Sequence, residues 1–154
     1  MPGCAFRDPL NWLSWGGGAG LSPWMPGTAG SLVGVVIYLC LPAMSLFQYI
    51  GLTILLFAVG IWLCRHTARA LGVHDHPAIV WDEIVGYMVT MTAAPAGWGW
   101  VLAGFVLFRL FDIWKPWPIR WLDRYVTGGF GIMIDDLLAA IYAAFLLQIT
   151  SLFL

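Results

Sequence analysis

Apolar residues gather in five blocks along the chain, at about 31–47, 48–64, 79–94, 98–111 and 137–154. Each block reads as a helix able to enter a bilayer. A full crossing takes roughly 20 residues, so the shorter blocks must tilt, thin the bilayer or extend past its hydrocarbon. Pro42 kinks or ends the first block, and "AAPAGWG", Ala93 to Gly99, carries turn residues between the third and fourth. Charge lies between the blocks. Arg65, His66 and Arg69 follow the second, and Arg109, Lys115, Arg120 and Arg124 follow the fourth. The positive-inside rule puts both clusters on the cytoplasmic side, and blocks three and four supply the two crossings between them. The loop before block one and the aspartates ahead of block five then share that side, and five crossings leave the C-terminus outside.

Composition agrees with this pattern. Of 154 residues, 61% are hydrophobic and only 10% charged, against roughly 25% charged in a soluble domain. The length allows one membrane-embedded domain over 1–154. A net charge of −1 provides no field to draw nucleic acid. Ten Trp and five Tyr suit the membrane interface, with Trp12 and Trp15 as N-terminal anchors. Cys4, Cys40 and Cys64 cannot all pair, and no disulfide framework is expected. None starts a Cys-x5-Arg loop, so there is no cysteine-phosphatase nucleophile. The stretch "MPGCAFRDPLNWL" has no continuous apolar core, so no cleavable signal peptide is expected.

Four polar constellations stand out. The first, "GGGAGLSPWMPGTAGS", Gly16 to Ser31, leads into an apolar helix that Ser31 can cap. Its free N–H groups, with Thr28 and Ser31, can cradle an anion, although the loop has no Walker A spacing. The second, "HDHPAIVWDEIVGYM", puts His74, Asp75 and His76 ahead of a helix with Pro77 in its first turn. Asp82 and Glu83 lie inside that helix, about 100° apart, so both can flank one pocket. Acids in an apolar segment are costly and point to function. Gly86, one turn on, admits a close neighbour.

The third constellation is "FRLFDIWKPWPIRWLDRYVTGGFG". Arg109, Asp112 and Lys115 form a stripe at the end of a helix that Pro116 stops. Arg120, Asp123 and Arg124 belong to a short interfacial helix, with Asp123 and Arg124 self-paired. Lys115 and Arg120 are the better anion ligands. In the fourth, "GIMIDDLLAA", Gly128, Gly129 and Gly131 end one element, and Asp135 and Asp136 begin the last helix. One aspartate would suffice as a cap there. Ala139, Ala140, Ala143 and Ala144 make a close helix contact. Asp82, Glu83, Asp112, Asp135 and Asp136 could meet at one face, and so many carboxylates need a cation. All-oxygen ligation favours Mg2+ or Mn2+. With Arg109, Lys115 and Arg120 nearby, the pattern suggests metal-assisted phosphoryl chemistry.

"GLSPWMPGTAGSL", "HDHPAIVWDEIVG", "FRLFDIWKPWPIRWLDR" and "GGFGIMIDDLLA" together resemble the phosphatidylglycerophosphatase A family of bacterial inner membranes, over about residues 16–140. The resemblance implies an all-α, compact, membrane-integral bundle of about six helices around a central one, with its catalytic face in the cytoplasm. It implies Mg2+-dependent dephosphorylation of phosphatidylglycerophosphate to phosphatidylglycerol. Asp82, Glu83, Asp135 and Asp136 match the family's metal motifs, with Asp112 a further ligand or a partner of Lys115. Lys115, Arg120 and the loop around Thr28 would hold phosphate oxygens, and His74, Asp75 or His76 would protonate the leaving oxygen or ligate metal. Attack by water and attack by an aspartate both stay open. An ion transporter or a non-catalytic scaffold is the alternative, but a transporter expects acids near helix middles and a scaffold needs no five-acid cluster.

Overall fold

The computed structural model describes residues 6–153, and their regular structure is entirely helical. In chain order it comprises α1 (Pro9–Ser14), a 3-10 segment (Gly16–Leu21), α2 (Pro26–Cys40), α3 (Leu46–Leu71), α4 (Trp81–Thr90), α5 (Trp98–Trp114), α6 (Ile119–Tyr125) and α7 (Gly128–Ser151). Local chemistry sets several boundaries. Pro26 takes the first turn of α2. Ser45 and Gln48 close a reciprocal capping box at the head of α3, and Gly72 ends it in the left-handed conformation. Lys115 ends α5 left-handed, at φ 46°, just before Pro116.

At the centre is α4. Seven of its ten residues are buried, and it touches α2, α3, α5 and α7. A β-carbon on Gly30 would strike Val80, and one on Gly34 would meet Ile84 and Tyr87, so α2 and α4 run parallel. Cys64 and Gly60 of α3 meet Met133 of α7, while Ile61 and Arg65 meet Gly129, so those two helices are antiparallel. Lys115 lies by Asp135 and Phe111 by Tyr142, which makes α5 antiparallel to α7 as well. Direction therefore reverses at each of the five main helices. The starts of α2, α4 and α7 and the ends of α3 and α5 gather at one end of the bundle.

A core of Tyr87, Met91, Phe108, Phe111, Ala139, Ala140, Ala143 and Leu147 joins α4, α5 and α7. Ala139, Ala140 and Ala143 are fully buried there, as the small-residue spacing implied. Gly86 also serves packing: the Phe108 ring stands where its side chain would be, 2.5 Å from a built β-carbon.

Among the described residues, α3 and α7 are the helices long and apolar enough to cross a membrane. Their 26 and 24 residues extend about 39 and 36 Å at 1.5 Å per residue. The apolar stretch of α3 is only 22% buried, so most of its hydrophobic surface faces outward. At ten residues, α4 is about 15 Å long and cannot cross alone. The third apolar block forms this short central helix, enclosed by the longer ones.

Four expectations change. Ser31 lies inside α2 and gives its hydroxyl to the Gly27 carbonyl, because the helix already starts at Pro26, five residues before it. Pro77 lies in a turn before α4, where His76 Nδ1 accepts the Ala78 N–H and the Val80 N–H reaches the Ser14 carbonyl. Glycines 128, 129 and 131 open α7 rather than ending the element before it, because Gly129 is pressed against the Ile61 carbonyl and Gly131 against the Val126 carbonyl. Trp15 is 1% exposed and belongs to the core; Trp12 remains exposed. Cys40 and Cys64 are unpaired, and Cys4 lies outside the described residues.

Candidate active site

The shared polar end holds a cavity of about 230 Å3. The start of α2 contributes Pro26 and Gly27. The loop before α4 gives Asp75, Pro77 and Ile79, and the first turn of α4 gives Asp82 and Glu83. Arg109, Asp112 and Lys115 come from the end of α5, and Asp135 and Asp136 from α7. All five acids expected to share a face do so.

Three of them converge. Asp82, Glu83 and Asp136 each offer a carboxylate oxygen, all within 4.8 Å of one another. Asp82 is 8% exposed and Asp136 4%. Asp82 Oδ1, Glu83 Oε2 and Asp136 Oδ2 are buried with no hydrogen-bond partner among the described residues. Three carboxylates so close repel one another, and orphaned buried oxygens cost free energy. A hard divalent cation would resolve both penalties, and an all-oxygen donor set suits one. The residues present therefore fit Mg2+.

Two cations flank the triad. Arg109 pairs with Asp112, and its Nε is buried without a partner. Lys115 bridges Asp135 at 2.7 Å and Asp123 at 2.8 Å. The left-handed backbone at Lys115 sends its side chain past the helix end, toward α7 and α6. It therefore does not fold back onto Asp112, and Asp123 pairs with it rather than with Arg124. Burial alone would push the Lys115 ammonium down, but Asp135 and Asp123 outweigh that and hold it above its ordinary 10.5. The two aspartates of α7 thus divide their work: Asp136 joins the triad and Asp135 anchors a lysine. Neither caps α7, which has no acid in its first turn.

Other expected ligands are turned elsewhere. His74 Nε2 accepts the Gly128 N–H at 2.6 Å, and His76 Nδ1 is used by its own turn. Of "HDH", only Asp75 lines the cavity. Arg120 donates to the Trp114 carbonyl at 3.3 Å and lines a separate Trp-rich groove. Neither Thr28 nor Ser31 lines the cavity. The contribution of their loop is Gly27, where a β-carbon would come 2.6 Å from Glu83 Oε1 and 3.1 Å from an Arg109 nitrogen. Gly27 was missed because the loop offered hydroxyls as more obvious ligands; "PG" at a helix start was the available signal.

Fold and site together define an all-helical protein with a carboxylate-lined, cation-rimmed pocket at one end of its bundle. The profile of the phosphatidylglycerophosphatase A family matches residues 12–151, and the chain belongs to that family. It is 48% identical over 138 residues to phosphatidylglycerophosphatase A of Escherichia coli K12, covering 89% of this chain and 80% of that one. The Haemophilus influenzae Rd protein of the same name is also 48% identical over 138 residues, with 88% and 85% covered. A Bacteroides thetaiotaomicron protein named a putative phosphatidylinositol-3-phosphatase is 37% identical over 142 residues, with 87% and 88% covered. No solved structure matches.

Proposed function

We propose that this chain hydrolyses the terminal phosphomonoester of phosphatidylglycerophosphate, releasing phosphatidylglycerol and inorganic phosphate, with Mg2+ in a site facing the cytoplasm of a bacterial inner membrane. The observation that carries the reading is the convergence of Asp82, Glu83 and Asp136 within 4.8 Å. Relatives named phosphatidylglycerophosphatase A support the substrate. Outward-facing apolar residues on α3, among them Ile54, Leu55 and Trp62, support insertion, and Arg65 and Arg69 near its end support a cytoplasmic polar face.

Asp82, Glu83 and Asp136 would hold the cation. When bound, it neutralises clustered negative charge and polarises the phosphate. Arg109 and Lys115 bind phosphate oxygens from the rim and stabilise charge that develops on them. The uncapped start of α2 at Gly27 closes the opposite wall with backbone N–H groups. Water attacks phosphorus, the ester P–O bond breaks, and the departing glycerol oxygen takes a proton. Asp75 is the cavity-lining residue free to carry that proton.

Phosphate release from the lipid in mixed micelles, with and without Mg2+, tests the reading. Metal-dependent release is expected. A protein that binds lipid but releases no phosphate at any metal concentration would instead be a scaffold or transporter.

A further inference from the structure

Beside the catalytic cavity lies a larger groove, of about 590 Å3, between the end of α3 and the start of α7. Arg65, Arg69 and His74 line it, with Gly128 and Phe130 opposite. We propose that this groove binds the phosphodiester of the substrate lipid while the phosphomonoester occupies the acidic cavity, so that Arg65 and Arg69 set the preference for lipids carrying both groups. This rests on the catalytic reading above.

The electrostatics of the groove call for an anion. Arg65 and Arg69 are four residues apart on one face of α3, where like charges repel. Both are exposed, and neither pairs with an acid among the described residues. The end of α3 gives Arg69 a favourable dipole but lies too far on to help Arg65. Arg65 faces a second positive feature. Its stem is packed against Gly129 in the first turn of α7, where Thr127 supplies no side-chain cap and His74 takes one N–H, that of Gly128. Two guanidinium groups beside the positive end of a helix are unfavourable until an anion joins them.

Position identifies the anion. His74 lines the groove and its chain neighbour Asp75 lines the catalytic cavity. The two spaces therefore meet at neighbouring residues, whose α-carbons stand about 3.8 Å apart. The two phosphates of phosphatidylglycerophosphate are joined by a single glycerol, which is short enough to bridge that divide. The arginines also follow the long apolar stretch of α3, at the level where a lipid diester meets water.

The test uses the full chain in zwitterionic mixed micelles with two substrates of matched acyl chains. Phosphatidylglycerophosphate has a monoester and a diester; phosphatidic acid has only the monoester. Compared with wild type, Arg65→Gln/Arg69→Gln should lower the kcat/KM ratio between them at least tenfold, mainly through KM on the two-phosphate lipid. Arg65→Lys/Arg69→Lys should restore part of it. If phosphatidic acid is not turned over, its Ki as a competitor replaces its kcat/KM. An unchanged ratio in the double glutamine variant overturns the inference while leaving the catalytic reading intact. Equal losses on both lipids overturn it too, because the arginines would then serve general membrane attachment. Wild-type protein inactive on both lipids would instead bring down the catalytic reading on which the inference rests.

Discussion

Asp136 and Asp135 are neighbours in sequence yet point to different partners, and substitution should separate their roles. Asp82→Asn and Asp136→Asn keep the side-chain shape and remove the charge that would hold a cation. Both should fold, lose at least about a hundredfold in turnover, about 2.7 kcal/mol, and bind Mn2+ more weakly by electron paramagnetic resonance. Wild-type turnover in either variant would remove that residue from the site. Lys115→Ala should lower kcat/KM by about tenfold, or about 1.4 kcal/mol. A change in KM alone would mean that Lys115 binds ground and transition states equally. The raised basicity of Lys115 gives a pH sign: its pairing is fully present below 10.5 and is lost only as pH rises through the higher folded value. A basic limb in activity between pH 7 and 9 would therefore belong to another group. Gly27→Ala should fold, since the atoms it meets are flexible side-chain ends, but should lose activity at least tenfold as Glu83 and Arg109 are displaced. Thermal unfolding and phosphate release together would check it.

At the scale of elements, the helices meet where glycines let backbones approach. Gly86→Ala puts a methyl 2.5 Å from the buried Phe108 ring and should destabilise the α4–α5 seam by about 1–3 kcal/mol, as overpacking does. A detergent-solubilised variant as stable as wild type would show that the ring moves freely. The same seams explain what the sequence could and could not reveal. Hydrophobic blocks located α3 and α5 well, because long apolar runs and a following Lys-Pro are local signals. The start of α7 was hidden, because glycines that permit contact with α3 look like helix breakers when read alone. The five acids were legible as a cluster, since acids in apolar helices have few other uses. Their division of labour was not, because the reach of Lys115 to Asp135 and Asp123 depends on a left-handed residue and on a helix folded in from 20 residues away. His74 and His76 looked like ligands for the same reason: their partners are backbone N–H groups, which leave no trace in composition.

For the whole molecule, alternating helix direction brings every catalytic element to one end, so that end should lie on one side of the membrane. Single cysteines at Val73 and Tyr125, both exposed, should label from the cytoplasmic side in a cysteine-free background. One at Trp98, at the far end of the bundle, should label from the opposite side. Opposite-side labelling of Val73 and Tyr125 would break this arrangement. The most direct measurement is release of inorganic phosphate from phosphatidylglycerophosphate by purified protein across a Mg2+ titration, with Asp136→Asn measured beside wild type. Wild-type release should rise from near zero with Mg2+ and saturate, while the variant stays low at concentrations that saturate wild type. Full release in the presence of a chelator, or an Asp136→Asn curve that overlays wild type, would contradict a carboxylate-held cation as the centre of this site.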